Sequence, residues 1–60
     1  MKFWELEKLC RENGYTVKRE GNKYIWKKNG TERTGICDTL IETAKEIKKD
    51  VESSKKNLFN

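Results

Sequence analysis

The sequence predicts an α+β domain: a helix, a three-stranded antiparallel meander and a second helix (αβββα), with both helices on one face of the sheet. Three observations carry this prediction. First, residues 14–37, GYTVKREGNKYIWKKNGTERTGIC, hold two glycine turns, Gly21-Asn22 and Asn29-Gly30, between short alternating runs. Two-residue turns of this composition are the strongest short-range hairpin signal a chain carries. Second, the segments on either side repeat their apolar residues at helical spacing. Third, a sheet this small does not stand alone and needs a cover over one face.

Residues 2–13 form the first expected helix. Phe3, Leu6, Leu9 and Cys10 fall within an arc of about 120°, with Lys2, Glu5, Lys8, Arg11 and Glu12 mostly off it. Asn13-Gly14 is the stop, because Gly14 can adopt the left-handed conformation that closes a helix end. Trp4 lies outside the arc. It is read as a lid at the edge of the core in preference to an exposed anchor for a partner, since large aromatics are mostly buried.

A two-residue Gly21-Asn22 loop sets Glu20 opposite Lys23, Arg19 opposite Tyr24 and Val17 opposite Trp26. Tyr15, Val17, Tyr24 and Trp26 then share the core face. For the second turn, a three-residue loop, Lys28-Asn29-Gly30, is chosen over the two-residue one because it keeps Thr34 and Ile36 on that same face and buries the isoleucine. The opposite face is then expected to carry Thr16, Lys18, Glu20, Lys23, Ile25, Lys27 and Arg33, with Lys28 extending it into the loop. Alternatively, those lysines serve only to keep the outer face soluble and its edges unpaired.

The second helix opens at Asp38-Thr39, where Thr39 and Glu42 match a capping box. Its buried stripe is Leu40, Ala44, Ile47 and Val51, flanked by Ile41. A solvated side of Lys45, Glu46, Lys48, Lys49, Asp50, Glu52, Lys55 and Lys56 lies opposite. Ser53-Ser54 weakens the helix, so the expectation is a single domain over 1–60, ordered from about 2 to 54, with 55–60 a mobile tail. Leu58 and Phe59 continue the stripe on paper, but a mobile tail is preferred to their folding back.

Composition narrows the functional classes. The chain has a net charge of +4 and a pI near 9.2, a balance that favours an acidic partner such as nucleic acid. No apolar run approaches the roughly 18–20 residues of a membrane span and no signal-peptide pattern is present, so a cytoplasmic protein is expected. With two cysteines and no histidine, neither a disulfide framework nor a zinc pattern is read, and Cys10 and Cys37 are taken as reduced, buried thiols. Cys37, near the start of the second helix, is the only candidate for a thiol activated by a helix dipole, and it lacks a base partner. No phosphate-binding glycine loop and no acid–base pair is found, so no cofactor, no metal and no enzymatic activity are expected.

The helix ending in Asn13-Gly14-Tyr15, the hairpin from Arg19 to Trp26 and the αβββα order resemble the small HicA-type RNA-cleaving toxins, whose fold is similar to double-stranded-RNA-binding domains. The resemblance implies the fold and an affinity for RNA. That family's hairpin carries a Gly-Ser-His signature, whereas here Asn22 stands in the serine position and Lys23 in that of the catalytic histidine. The resemblance therefore does not extend to cleavage.

Two functions follow. The first is a non-enzymatic module gripping RNA or DNA backbone through Lys18, Lys23, Lys27, Lys28 and Arg33. The second is a protein-binding adaptor or inhibitor, of the sort a phage or other mobile element encodes, using the sheet edge with Trp4, Tyr15 and Ile25 as anchors. A core of roughly a dozen apolar side chains is thin, and pairing as a homodimer would offset that.

Overall fold

A computed structural model describes residues 1–57, with side chains described for residues 1–53. The order is α1 (Phe3–Asn13), β1 (Tyr15–Glu20), β2 (Lys23–Lys28), β3 (Thr34–Cys37) and α2 (Leu40–Asn57). The strands form one antiparallel sheet in the order β1-β2-β3, and both helices pack against the same face of it. This is the predicted α+β architecture. None of the described helices is long and apolar enough to cross a membrane.

Local chemistry sets the boundaries. Glu5 reaches back to accept the Lys2 backbone N–H at 3.0 Å, satisfying a donor that the first turn of α1 leaves open. Gly14, at φ 80°, ends that helix with its N–H on the Cys10 carbonyl. At α2 the Thr39 hydroxyl accepts the Glu42 N–H at 3.1 Å, as the capping box requires. The helix then runs through Asn57, past the Ser53-Ser54 pair. Leu58 and Phe59, with the rest of 58–60, lie outside the described residues.

The core consists of Leu6, Cys10, Tyr15, Val17, Trp26, Cys37, Ala44 and Ile47, with Phe3, Leu9, Leu40 and Val51 packed around it. Trp26 is its centre. The indole meets the Tyr15 ring edge-on at 5.7 Å between centroids, a favoured aromatic geometry. Its Nε1–H donates to Glu46 on α2 at 3.1 Å, which satisfies the only polar atom on the ring.

The first hairpin has the expected register, with Val17 opposite Trp26 and Glu20 opposite Lys23. The second does not. Lys27 faces Thr34, Trp26 faces Gly35, Ile25 faces Ile36 and Tyr24 faces Cys37. The Lys28 N–H donates to the Arg33 carbonyl at 2.9 Å, so the loop comprises residues 29–32 rather than 28–30. The physical reason is Trp26. A Cβ on residue 35 would come within 2.5 Å of the indole, so a glycine has to stand opposite the ring, and Gly35 does. Ile36 and Thr34 accordingly turn outward, and Cys37 takes the core position expected of the isoleucine.

Candidate functional site

The bare face of the sheet carries Thr16, Lys18 and Glu20 from β1, Lys23, Ile25 and Lys27 from β2, and Thr34 and Ile36 from β3. Ile25 and Ile36 stand directly opposite one another, where side chains touch. Ile36 is 64% exposed, and its surface adjoins that of Ile25 instead of standing singly. Beside this pair, Thr16, Lys18, Ile25, Lys27, Asn29, Gly30 and Thr34 line a shallow groove of about 400 Å³. The Thr16 hydroxyl hydrogen-bonds Asn29 at 2.7 Å and that of Thr34 donates to the Trp26 carbonyl at 2.7 Å, so both side chains are held by the protein itself.

The cations expected on this face divide. Lys18, Lys23 and Lys27 are there. Lys18 lies 3.8 Å from Glu20, and Lys23 pairs with Asp38, which holds its ammonium charged to a higher pH than usual. Lys27 makes no ion pair among the described residues. The other two are corrected. Lys28 stands in β2 opposite Tyr15, so its side chain takes the helix-covered side, where it is half-buried. Arg33 leaves the face to form an ion pair with Asp50 of α2, because the extra loop residues reverse its parity.

Asp50 overturns a second expectation. Read as solvated, it is 5% exposed, and it accepts the Tyr15 hydroxyl while pairing with Arg33. A buried carboxylate is tolerable only with such partners. The network links β1, the loop before β3 and the fourth turn of α2.

The aromatic anchors are also redistributed. Trp4 is 61% exposed rather than a lid, beside a depression lined by Met1, Glu5, Lys8, Leu9, Glu12 and Lys48. Tyr15 is buried under α2 and presents nothing to a partner. Ile25 is half-buried on the bare face. The buried stripe of α2 holds Leu40, Ala44, Ile47 and Val51 as expected, together with Thr43, whereas Ile41 is 56% exposed.

Both cysteines are free and buried. Burial raises the Cys10 thiol to about 11, helped by the Glu7 charge. Burial likewise raises Cys37, and the nearby Glu46 carboxylate adds to the effect. The helix dipole therefore does not activate Cys37. Burial and its hydrogen bond to Asp50 push the Tyr15 phenol up to about 12. Among the described residues no cluster of His, Cys, Asp or Glu is placed to hold a metal ion.

These raised values fix the sign of an alkaline pH dependence. Cys10 and Tyr15 keep their protons to higher pH when folded than when unfolded, where they titrate near 9.0 and 10.0. The unfolded chain therefore sheds protons first, and stability that is complete below pH 9 is lost as pH climbs toward 11 and 12. The expected loss is a few kcal/mol, because each tenfold change in a group's proton affinity is worth about 1.4 kcal/mol. Urea midpoints at about pH 8 and pH 10.5 measure it, and Cys10→Ala should flatten part of the fall. Equal midpoints in the unaltered chain would contradict this account.

Residues that mattered and were missed are Gly35, Ile36 and Asp50. Only Asp50 left a trace in the sequence, since it falls three residues after Ile47 and seven after Thr43, on one side of α2. Compared with known proteins, this chain matches no family model, no curated protein and no solved structure.

Proposed function

We propose that this chain is a non-enzymatic binding module that docks a protein partner on the bare face of its sheet, centred on Ile25 and Ile36. The observation that carries the reading is the second hairpin's register, which adds Ile36 to that face and withdraws Arg33 from it. The expected basic surface around a lone isoleucine becomes a cross-strand isoleucine pair rimmed by lysines and threonines. Two of those three lysines already have carboxylate partners, so few positive charges are left to displace counterions from a phosphate backbone. An apolar centre with a polar rim is the anatomy of a protein contact. Catalysis has little support: the two thiols hold their protons well above neutral pH, and the buried carboxylate is taken up by Tyr15 and Arg33.

Nucleic acid and protein partners separate in one experiment. The unaltered chain, Ile25→Thr/Ile36→Thr and Lys18→Glu/Lys27→Glu serve as baits in lysate with and without nuclease. The docking reading expects a protein band that survives nuclease, falls at least tenfold with the isoleucine pair and persists with the lysine pair. Capture abolished by nuclease, or by the lysine reversals alone, supports backbone binding instead and overturns it.

A further inference from the structure

We propose that two copies of this chain join antiparallel along the free edge of β3, with Ile36 opposite Ile36 across a twofold axis, to make one six-stranded sheet. The inference stands on the backbone, and only its argument from platform size rests on the docking reading above. Because Lys28 donates to the Arg33 carbonyl, residues 28 and 33 form a hydrogen-bonded pair. Antiparallel ladders alternate, so Trp26–Gly35 and Tyr24–Cys37 are the next bonded pairs. Thr34 and Ile36 therefore aim their N–H and C=O groups away from β2, and among the described residues β3 has no further strand beside it.

The two edges of the sheet are guarded differently. β1 carries Lys18, Arg19 and Glu20, the charged residues that keep an edge from pairing. β3 is Thr-Gly-Ile-Cys, with no charge, no proline and a glycine that leaves the edge open. An unguarded edge accepts a strand. A second copy fits it for two reasons of chemistry and one of size.

A twofold axis normal to the sheet keeps both bare faces on the same side, so side-chain parity allows Ile36 to meet Ile36. The isoleucines of the two copies then run in a row of four across the joined sheet. The same register sets Thr34 opposite Asp38 of the second copy. Lys27, which neighbours Thr34 and makes no ion pair among the described residues, then stands two strands from that carboxylate and can share it with the second copy's own Lys23. Self-pairing through β1 about Arg19, whose N–H and C=O point away from β2, would instead set that guanidinium against its own copy, a like-charge arrangement that costs stability. As for size, three strands spaced about 4.8 Å apart and about five residues long at 3.3 Å each offer only some 200 Å² of flat face. A specific contact needs about 800 Å² per partner. Joining two sheets doubles the platform.

Amide hydrogen exchange on the unaltered chain across a concentration series, alongside sedimentation, reads this directly. The Thr34 and Ile36 amides should exchange freely in dilute solution and slow at least tenfold as the dimer forms, while the amides of β1 stay unchanged. Ile36→Lys, at an exposed position, should weaken self-association at least tenfold with an unaltered circular dichroism spectrum. In a Cys10→Ala/Cys37→Ala background, Ile36→Cys should give a covalent dimer under mild oxidation, since opposed residues in a bonded antiparallel pair have the Cα spacing a disulfide needs. A chain that remains monomeric up to about 1 mM, or a dimer whose Thr34 and Ile36 amides remain unprotected, overturns the proposal.

Discussion

Gly35→Ala is expected to destabilise this protein by roughly 3 kcal/mol, the upper end of what overpacking costs in a filled core. The added methyl would lie 2.5, 2.6 and 2.7 Å from Nε1, Cε2 and Cζ2 of Trp26, distances that no carbon–carbon or carbon–nitrogen contact sustains. Either the strand or the indole has to move. β3 is tied to β2 on both sides of residue 35, and the indole is fixed by its edge-on contact with Tyr15 and its hydrogen bond to Glu46. Neither yields cheaply. A domain of this size rarely holds more than about 3–5 kcal/mol in total, so most of the cooperative transition should vanish at room temperature. Urea denaturation followed by circular dichroism measures it. A shift under about 0.5 kcal/mol, the scatter of surface substitutions, would mean that the indole does not lie on Gly35.

That contact also explains where sequence reasoning stopped short. The first hairpin was legible because Gly21-Asn22 fixes the loop length, and loop length fixes which of Tyr15, Val17, Tyr24 and Trp26 share a face. The second turn left two loop lengths open, and the choice rested on burying Ile36 as the larger aliphatic. Hydrophobicity was the wrong criterion there, because Trp26 already fills the space beneath β3 and leaves room only for Gly35 and Cys37. Once the loop lengthens to residues 29–32, Arg33 and Ile36 exchange sides together, so one misjudged volume moved both a cation and an apolar anchor. The helices were legible from periodicity and caps alone. Asp50 was not, since within Lys48-Lys49-Asp50 a carboxylate looks solvated until Tyr15 and Arg33, remote in sequence, are brought over it.

Asp50→Ala is the second large effect, expected at about 3 kcal/mol. The change leaves the Tyr15 hydroxyl buried without its acceptor, which costs about 1–3 kcal/mol, and opens a small void under α2. Arg33, whose side chain is 58% exposed, can turn to water once released, so its half of the ion pair adds little. The reverse deletion is informative for that reason. Arg33→Ala strands a buried carboxylate with a single hydrogen bond from Tyr15, and breaking a fully buried pair in this way costs about 3–5 kcal/mol. With half the arginine already in water, about 2 is expected. Tyr15→Phe removes one hydrogen bond and leaves the pair intact, for about 1 kcal/mol. The order Asp50→Ala, Arg33→Ala, Tyr15→Phe separates a network anchored on the carboxylate from three independent surface contacts, for which all three changes would fall within about 0.5 kcal/mol of zero. A spectroscopic readout supports the same assignment. Asp50→Asn should bring the Tyr15 phenol down from about 12 by part of the way to 10.0, since burial is the largest cause of the rise and the carboxylate's hydrogen bond and charge add to it, and ultraviolet titration of Tyr15 in a Tyr24→Phe background reads the shift. If Tyr15 still titrates near 12 in that variant, burial alone holds its proton, and Asp50 is a tenant of the core rather than its latch.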